Sequence, residues 1–221
     1  MPDDITLQAM VMDELAWEPS VDAAHIGVSV KNGVVTLSGF VDNYAAKAAA
    51  EQAVGRVRGV KAIAEEIEVR LPHHQQRADD EIAERAVRIL GWDIEVPAGR
   101  IHITVAHGEV TLTGEVDHYF QRHAAENAVR RLSGVRSVIN LLTVSHRAGA
   151  APQSRMIRQK IEEALRRSAN IDASGIEIGV DGGTITLKGH VRSWSERGAV
   201  RHAAWAAPGV HEVRDQLAIQ S

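Results

Sequence analysis

The residues best placed for binding chemistry in this 221-residue chain are two tryptophans and two arginines near its C-terminus. Trp194, Arg201 and Trp205 are spaced i, i+7 and i+11, which on a helix places the second and third within about 20° of the first. Arg197 flanks this group, and the whole set is expected to face outward. Such a face suits a lipid interface, where tryptophan rings lie at headgroup depth and arginines meet phosphate. It equally suits packing against a neighbouring unit or a second chain, because the same residue types dominate protein interfaces.

A second basic group lies on the preceding predicted helix. It comprises Arg155, Arg158, Arg166 and Arg167. Two glutamates between them dilute the charge, so a solvated face is the default interpretation. The four arginines remain candidates for the same anionic partner surface.

The charge of the chain becomes more basic toward its C-terminus. The net charge of -4 divides into -5 for residues 1–71, -1 for 72–148 and +2 for 149–221. An acidic total argues against a nucleic-acid binder, which needs a basic surface to displace counterions. The basic C-terminal part is therefore where we expect a partner surface.

Motifs for catalysis or cofactor binding are absent from the sequence. The chain has no cysteine and no HExxH, GxSxG or Walker sequence. His118 and His123 are five residues apart, which separates them around a helix, so we expect no metal site. Trp17 and Trp92 follow the first helices of their units and are interpreted as core plugs or helix staples. The sequence predicts no enzyme and no cofactor.

The elements that position these residues repeat along the chain. Gly39, Gly114 and Gly189 each close a similar segment, Val-Thr-Leu-Ser-Gly in the first copy, and they are 75 residues apart. The same spacing separates three further structural glycines, Gly59, Gly134 and Gly209. This period predicts three units, 1–71, 78–146 and 153–221, joined by linkers 72–77 and 147–152.

Each unit has the pattern helix, strand, strand, helix, strand. Leu7, Val11 and Leu15 form the apolar stripe of the first helix, and Asn32-Gly33 supplies a type I′ hairpin between the first two strands. An Ala-rich helix and a third strand follow. We therefore predict an α+β fold of three tandem α-β-β-α-β units, each a three-stranded sheet covered on one face by two helices. The glycine that closes strand two is expected to allow a turn or a close approach of the second helix.

This pattern resembles the BON domain family. Unit two carries it most fully, in the run Gly134-Val135-Arg136-Ser137-Val138-Ile139-Asn140-Leu141-Leu142-Thr143-Val144, whereas Glu65 and Asp215 replace the asparagine in the other units. The resemblance implies a non-enzymatic module, often found in envelope proteins, proposed to bind phospholipid surfaces and linked to osmotic stress.

Three functions follow as hypotheses. The first is docking on anionic phospholipid or a membrane-associated protein, mainly through unit three. The second is a cytoplasmic scaffold for protein–protein interactions, in which linked copies gain avidity. The third is sensing of a small ligand or of potassium, which the resemblance alone suggests.

The ends of the chain carry an expectation about location. The N-terminus is acidic and no apolar segment follows it, so the sequence as written predicts a cytoplasmic protein, although relatives of this family are often periplasmic. No window approaches the roughly 20 apolar residues that span a bilayer. We therefore expect no transmembrane segment.

Overall fold

The computed structural model describes residues 2–97, 99–145, 154–168 and 171–220. Unit one consists of α1 (Asp4–Trp17), β1 (Ile26–Lys31), β2 (Val34–Val41), α2 (Tyr44–Arg56) and β3 (Ala62–Val69). Unit two consists of α3 (Asp79–Trp92), β4 (Ile101–Ala106), β5 (Glu109–Val116), α4 (Tyr119–Val129), β6 (Ser137–Asn140) and β7 (Thr143–Val144). Unit three consists of α5 (Ser154–Arg167), β8 (Ile176–Asp181), β9 (Thr184–Val191), α6 (Trp194–Trp205) and β10 (Glu212–Ile219). The second predicted linker, 147–152, lies outside the described residues.

The three sheets share one topology and one register. The first two strands of each unit form an antiparallel hairpin, and the third strand pairs with the second in parallel after crossing over through the second helix. Val34 pairs with Ala62 in unit one, and Glu109 and Thr184 have the equivalent partners in units two and three. Unit two differs only in its third strand, which is split into β6 and β7 while keeping the same register.

Each unit has its own hydrophobic core between its helices and one face of its sheet. In unit one Leu7, Val11 and Leu15 of α1 are at most 1% exposed and pack with Val35 and Leu37 of β2. Units two and three form separate clusters from the equivalent positions. The predicted α+β fold with two helices on one sheet face is therefore confirmed.

An aspartate at the start of the first helix fixes the hairpin in two of the units. The carboxylate of Asp4 accepts the backbone N–H groups of Asn32 and Gly33, at 2.7 and 3.0 Å. Asn32 and Gly33 have φ angles of 54° and 80°, as the predicted type I′ turn requires. Asp79 does the same in unit two, and the N–H groups it accepts lower the pKa of its carboxyl below the ordinary value.

The glycine that ends strand two allows a close backbone approach. Gly189 has a φ of 116°, and a Cβ there would lie 1.9 Å from the carbonyl oxygen of Gly175. The equivalent glycines, Gly39 and Gly114, face the carbonyls of His25 and Arg100 in the same way. The close neighbour is thus the backbone that enters strand one. The prediction that these glycines make room for the second helix is therefore wrong.

The other three repeated glycines also adopt left-handed backbone conformations. Gly59, Gly134 and Gly209 have φ angles of 96°, 96° and 82°. At Gly134 a Cβ would also meet the Cδ1 of Ile82 at 2.7 Å. This turn therefore requires glycine both for its φ angle and, in unit two, for the space beside α3.

Candidate functional site

The two tryptophans of α6 lie against the other units. Trp194 packs on the hydrophobic core of unit one, where its Cβ is 3.4 Å from the position that a Cβ on Gly55 would take. Trp205 stacks on Tyr119 of unit two, with ring centroids 4.8 Å apart and planes 8° apart. Both tryptophans are half-buried. Of the two arrangements that the sequence allows, the structure therefore has the packing against neighbouring units.

These contacts repeat around the molecule. Tyr44, Tyr119 and Trp194 occupy the same position in the 75-residue period, at the start of the second helix of each unit. Tyr44 of unit one packs on the core of unit two, Tyr119 packs on unit three, and Trp194 packs on unit one. Each unit thus contacts the next in the order one, two, three, one. This closed set of contacts, which we call the seam, places the three units around an approximate threefold axis.

The aromatic side chains meet equivalent positions across the seam. Trp194 faces Gly55, and Tyr119 faces Trp205. Gly55 and Trp205 are themselves equivalent, because they are 150 residues, or two periods, apart. Burial raises the pKa of the Tyr44 hydroxyl, and the carboxylate of Glu126 in unit two acts in the same direction. The sequence contains the signal for this arrangement, because the repeat aligns an aromatic residue at one position in all three units.

The arginines of α6 are engaged within their own unit. Arg197 donates from Nε to the Asp215 carboxylate at 2.8 Å, and Arg201 lies 3.7 Å from the same oxygen. The Arg197 guanidinium also lies 5.0 Å from the Trp194 ring centroid. Asp215 is only 14% exposed, so it is a well-shielded partner for these cations. Arg197, with 23% of its side chain exposed, is therefore largely committed to its own unit, whereas Arg201 remains 45% exposed.

This link between the second helix and the third strand recurs in every unit. Lys47 forms an ion pair of 2.6 Å with Glu65 in unit one, and Arg122 donates to the carbonyl oxygen of Asn140 at 3.0 Å in unit two. The side chain at the position of Glu65, Asn140 and Asp215 also accepts the backbone N–H two residues later. The sequence shows that this position varies between units, but only the structure shows that it anchors strand three.

A buried glutamate holds the beginning of α6. Glu196 is 4% exposed and accepts the backbone N–H groups of Asp172 and Arg192, at 2.7 and 2.6 Å. Ser193 accepts the Glu196 N–H at the N-cap. Burial raises the pKa of the Glu196 carboxyl, but these N–H groups and the Arg192 guanidinium outweigh it and hold the pKa below its ordinary value.

The arginines of α5 have the opposite surroundings. Arg155, Arg158, Arg166 and Arg167 are all exposed. Within the part of the chain that the structure describes, none of the four has a carboxylate within ion-pair distance. The structure thus separates the predicted surface residues: the two α6 tryptophans lie in the seam, Arg197 and Arg201 face Asp215 of their own unit, and the four α5 arginines are exposed.

The interpretation of Trp17 and Trp92 as core plugs is wrong. Their side chains are 85% and 87% exposed, at the C-terminal ends of α1 and α3. The apolar stripes of these helices end at Leu15 and Leu90, so residues two positions later point away from the core. Ile94, which is fully exposed, adds further apolar surface beside Trp92.

The described residues contain no group of three or more His, Asp or Glu side chains that could hold a metal ion. None of the helices in the described ranges has the length and hydropathy needed to cross a bilayer. Sensing of a small ligand or of potassium stays a prediction.

The repeats and the seam can be compared with known proteins. The chain is similar to "Osmotically-inducible protein Y" of Escherichia coli (strain K12), with 31% identity over 143 residues that cover 62% of this chain and 71% of that protein. Two structures of CdsD, a structural protein of the type III secretion system of Chlamydia trachomatis, match with 14% and 13% identity. These matches cover 96% and 100% of this chain and 91% and 100% of those chains. Their TM-scores of 0.26 and 0.27 are too low to support a structural relationship. The BON domain matches residues 3–70, 78–146 and 154–221, and the chain therefore belongs to the BON domain family, with three copies of the domain.

Proposed function

We propose that this chain is a non-enzymatic protein of the osmotic-stress response that docks on anionic phospholipid surfaces through α5 of unit three. The observation that carries the proposal is the set of four exposed α5 arginines without carboxylate partners in the described residues. The similarity to an osmotically inducible protein supports the link to osmotic stress. The α6 group, which the sequence pattern favours, contributes less because its tryptophans lie in the seam.

The charges and the apolar contacts of α5 both favour an interface. Unpaired arginines near an anionic leaflet contribute about 1 kcal/mol each to binding. Met156, 50% exposed on the same helix, offers an apolar side chain that can enter the headgroup region. The apolar stripe of Ile157, Ile161 and Leu165 is buried in the core of unit three, so α5 would dock without leaving its own unit.

Co-sedimentation with phosphatidylglycerol vesicles at low salt tests the proposal. The double variant Arg166→Gln/Arg167→Gln removes two unpaired charges and is expected to weaken binding by roughly 30-fold, or about 2 kcal/mol. The matched control is Arg85→Gln/Arg88→Gln on α3, which removes the same number of charges from arginines already paired with Glu81 and Glu84. Equal loss in both variants, or no binding by the wild-type chain, would contradict the proposal.

A second candidate function is a scaffold that binds a protein partner. It is favoured by the exposed rings of Trp17 and Trp92, because tryptophan is enriched where protein interfaces are energetically most important. Asp93 follows Trp92 directly in the sequence, and its carboxylate suits a basic protein better than an anionic membrane. The variant Trp17→Ser/Trp92→Ser should then lose partner binding in cross-linking experiments while its vesicle binding is unchanged.

A further inference from the structure

A basic cavity lies at the junction of units one and two. It has a volume of about 440 Å³ and is formed by the start of α2, the first linker and the segment that follows α4. Its polar lining comes from Asn43, His74, Gln75, Arg77, Arg130, Arg131 and Ser133. None of the described residues that line it is acidic, although the chain as a whole carries a net charge of -4.

Two of the three arginines have unused hydrogen-bond donors. Arg77 is held in place, because its Nη1 donates to the carbonyl oxygens of His74 and Gln76 and its Nε lies 3.3 Å from Glu81. The Nε of Arg130 is buried and has no hydrogen-bond partner among the described residues. Arg131 is exposed and has no carboxylate within ion-pair distance in the same described part of the chain. Neither Arg130 nor Arg131 has an ion pair in these ranges, so both guanidinium groups can pair with an anion that enters the cavity.

The equivalent positions at the other two junctions lack this pair of arginines. Trp205 and Ala206 stand there in unit three, and Gly55 and Arg56 in unit one. Arg56 is already neutralised, since it lies 2.7 Å from Glu14 and 3.1 Å from Glu18. Uncompensated positive charge at this position is therefore specific to the junction of units one and two.

The start of α2 adds to the positive potential. Asn43, its N-cap residue, and Ala45 in its first turn both line the cavity. The first N–H groups of a helix and its dipole favour an anion at this end. Arginine guanidinium groups match the geometry of phosphate, and a volume of this size accommodates a small organic molecule as well as the phosphate.

We propose that this cavity binds the phosphate group of a small phosphate ester, with Arg130 and Arg131 as its principal ligands. The site lies in units one and two and does not depend on the docking surface proposed for α5. Its ligand could be a soluble ester or the headgroup of a lipid, which present the same phosphate chemistry.

Isothermal titration of the full chain with glycerol 3-phosphate at low salt tests the site. The variant Arg130→Gln/Arg131→Gln should bind at least about tenfold more weakly than the wild type, since each guanidinium supplies charge-assisted hydrogen bonds. Arg166→Gln/Arg167→Gln removes the same charge from α5 and should leave this binding unchanged. Chemical-shift mapping on the wild-type chain provides a measurement independent of any variant, and the largest shifts are expected at Asn43, Ala45, Arg130 and Arg131.

The outcomes separate the proposals. Absence of wild-type binding up to about 10 mM, a weak limit for a specific site, would overturn the inference, as would equal binding by the two arginine variants or shifts confined to α5. Competition by phosphatidylglycerol vesicles that persists in Arg166→Gln/Arg167→Gln would identify a lipid headgroup as the source of the phosphate. Absence of such competition would identify a soluble ester. Failure of the α5 docking experiment would leave these results unaffected.

Discussion

The seam makes a quantitative prediction for Trp194→Ala. Trp194 connects unit three to unit one, and its ring packs on a hydrophobic core to which its own unit does not contribute. The substitution removes this ring while leaving the Cβ that lies near Gly55. It should therefore weaken the contact between these units without disturbing the separate core of unit three.

The expected loss in free energy is about 3 kcal/mol. If roughly 100 Å² of the about 150–250 Å² of a tryptophan side chain is taken as buried across this contact, burial at about 25 cal/mol per Å² gives about 2.5 kcal/mol. The cation–π contact with Arg197, at 5.0 Å, adds about 0.5 kcal/mol. No hydrogen bond is lost, since the Nε1 of Trp194 has no partner among the described residues.

Urea unfolding followed by circular dichroism, together with small-angle X-ray scattering, measures both consequences. Trp194→Ala should lower the free energy of the first unfolding transition by this amount and increase the radius of gyration of the native chain. The matched control is Trp92→Ala, because Trp92 is 87% exposed and its removal should change the free energy of unfolding by less than about 0.5 kcal/mol.

One result would refute the reasoning directly. If Trp194→Ala and Trp92→Ala have the same effect on unfolding and neither changes the scattering profile, Trp194 does not join units one and three in solution. Units one and three would then be connected only through unit two and the linkers.

Three further predictions concern the fold. Gly189→Ala should lower the free energy of unfolding by about 3 kcal/mol or more, because a Cβ there meets a carbonyl oxygen at 1.9 Å and the φ angle is 116°. Gly91→Ala, which has open space around it in a helix, should instead raise it by about 0.5–1 kcal/mol. Thermal unfolding of the two variants compares these effects. Glu196 has a lowered pKa, so its contribution to stability is fully present above the ordinary pKa of about 4.3 and is lost as the pH falls through its folded value. Glu196→Gln should cost about 1–2 kcal/mol of stability at neutral pH and flatten this acid dependence in urea titrations from pH 7 to about pH 3. An unchanged acid profile would contradict a lowered pKa for Glu196. Tyr119→Ala should cost about 1–2 kcal/mol by removing the stacking on Trp205 at 4.8 Å, and stability equal to wild type in the same assay would contradict a packed contact between units two and three.

The sequence predicted most of each unit because the relevant signals are local. The i, i+4 spacing of Leu7, Val11 and Leu15 identifies the buried face of a helix, and Asn32-Gly33 specifies a turn of two residues. Their repetition at a fixed period gave the number of units. The BON resemblance drawn from these residues is confirmed by the family match over all three units.

The surfaces were harder to predict because helical periodicity identifies a face but not what covers it. The outward face of α6 is apparent from the spacing of Trp194 and Trp205, yet the sequence allowed a lipid, a second chain or another unit to lie against it. The reverse holds for Trp17 and Trp92, whose size suggested burial although the stripes of their helices end two residues earlier.

The sequence by itself determined the repeat, the order of elements in each unit and the class of residues available for binding. Tertiary structure alone decided that the three second helices meet in a seam, that Arg197 and Arg201 face Asp215, and that the α5 arginines remain exposed. The physical reason is that a core is specified by residues close in the sequence, whereas the seam and the cavity depend on the relative placement of units about 75 residues apart. Charge and aromatic content are properties of the chain, but their availability to a partner is a property of the folded assembly.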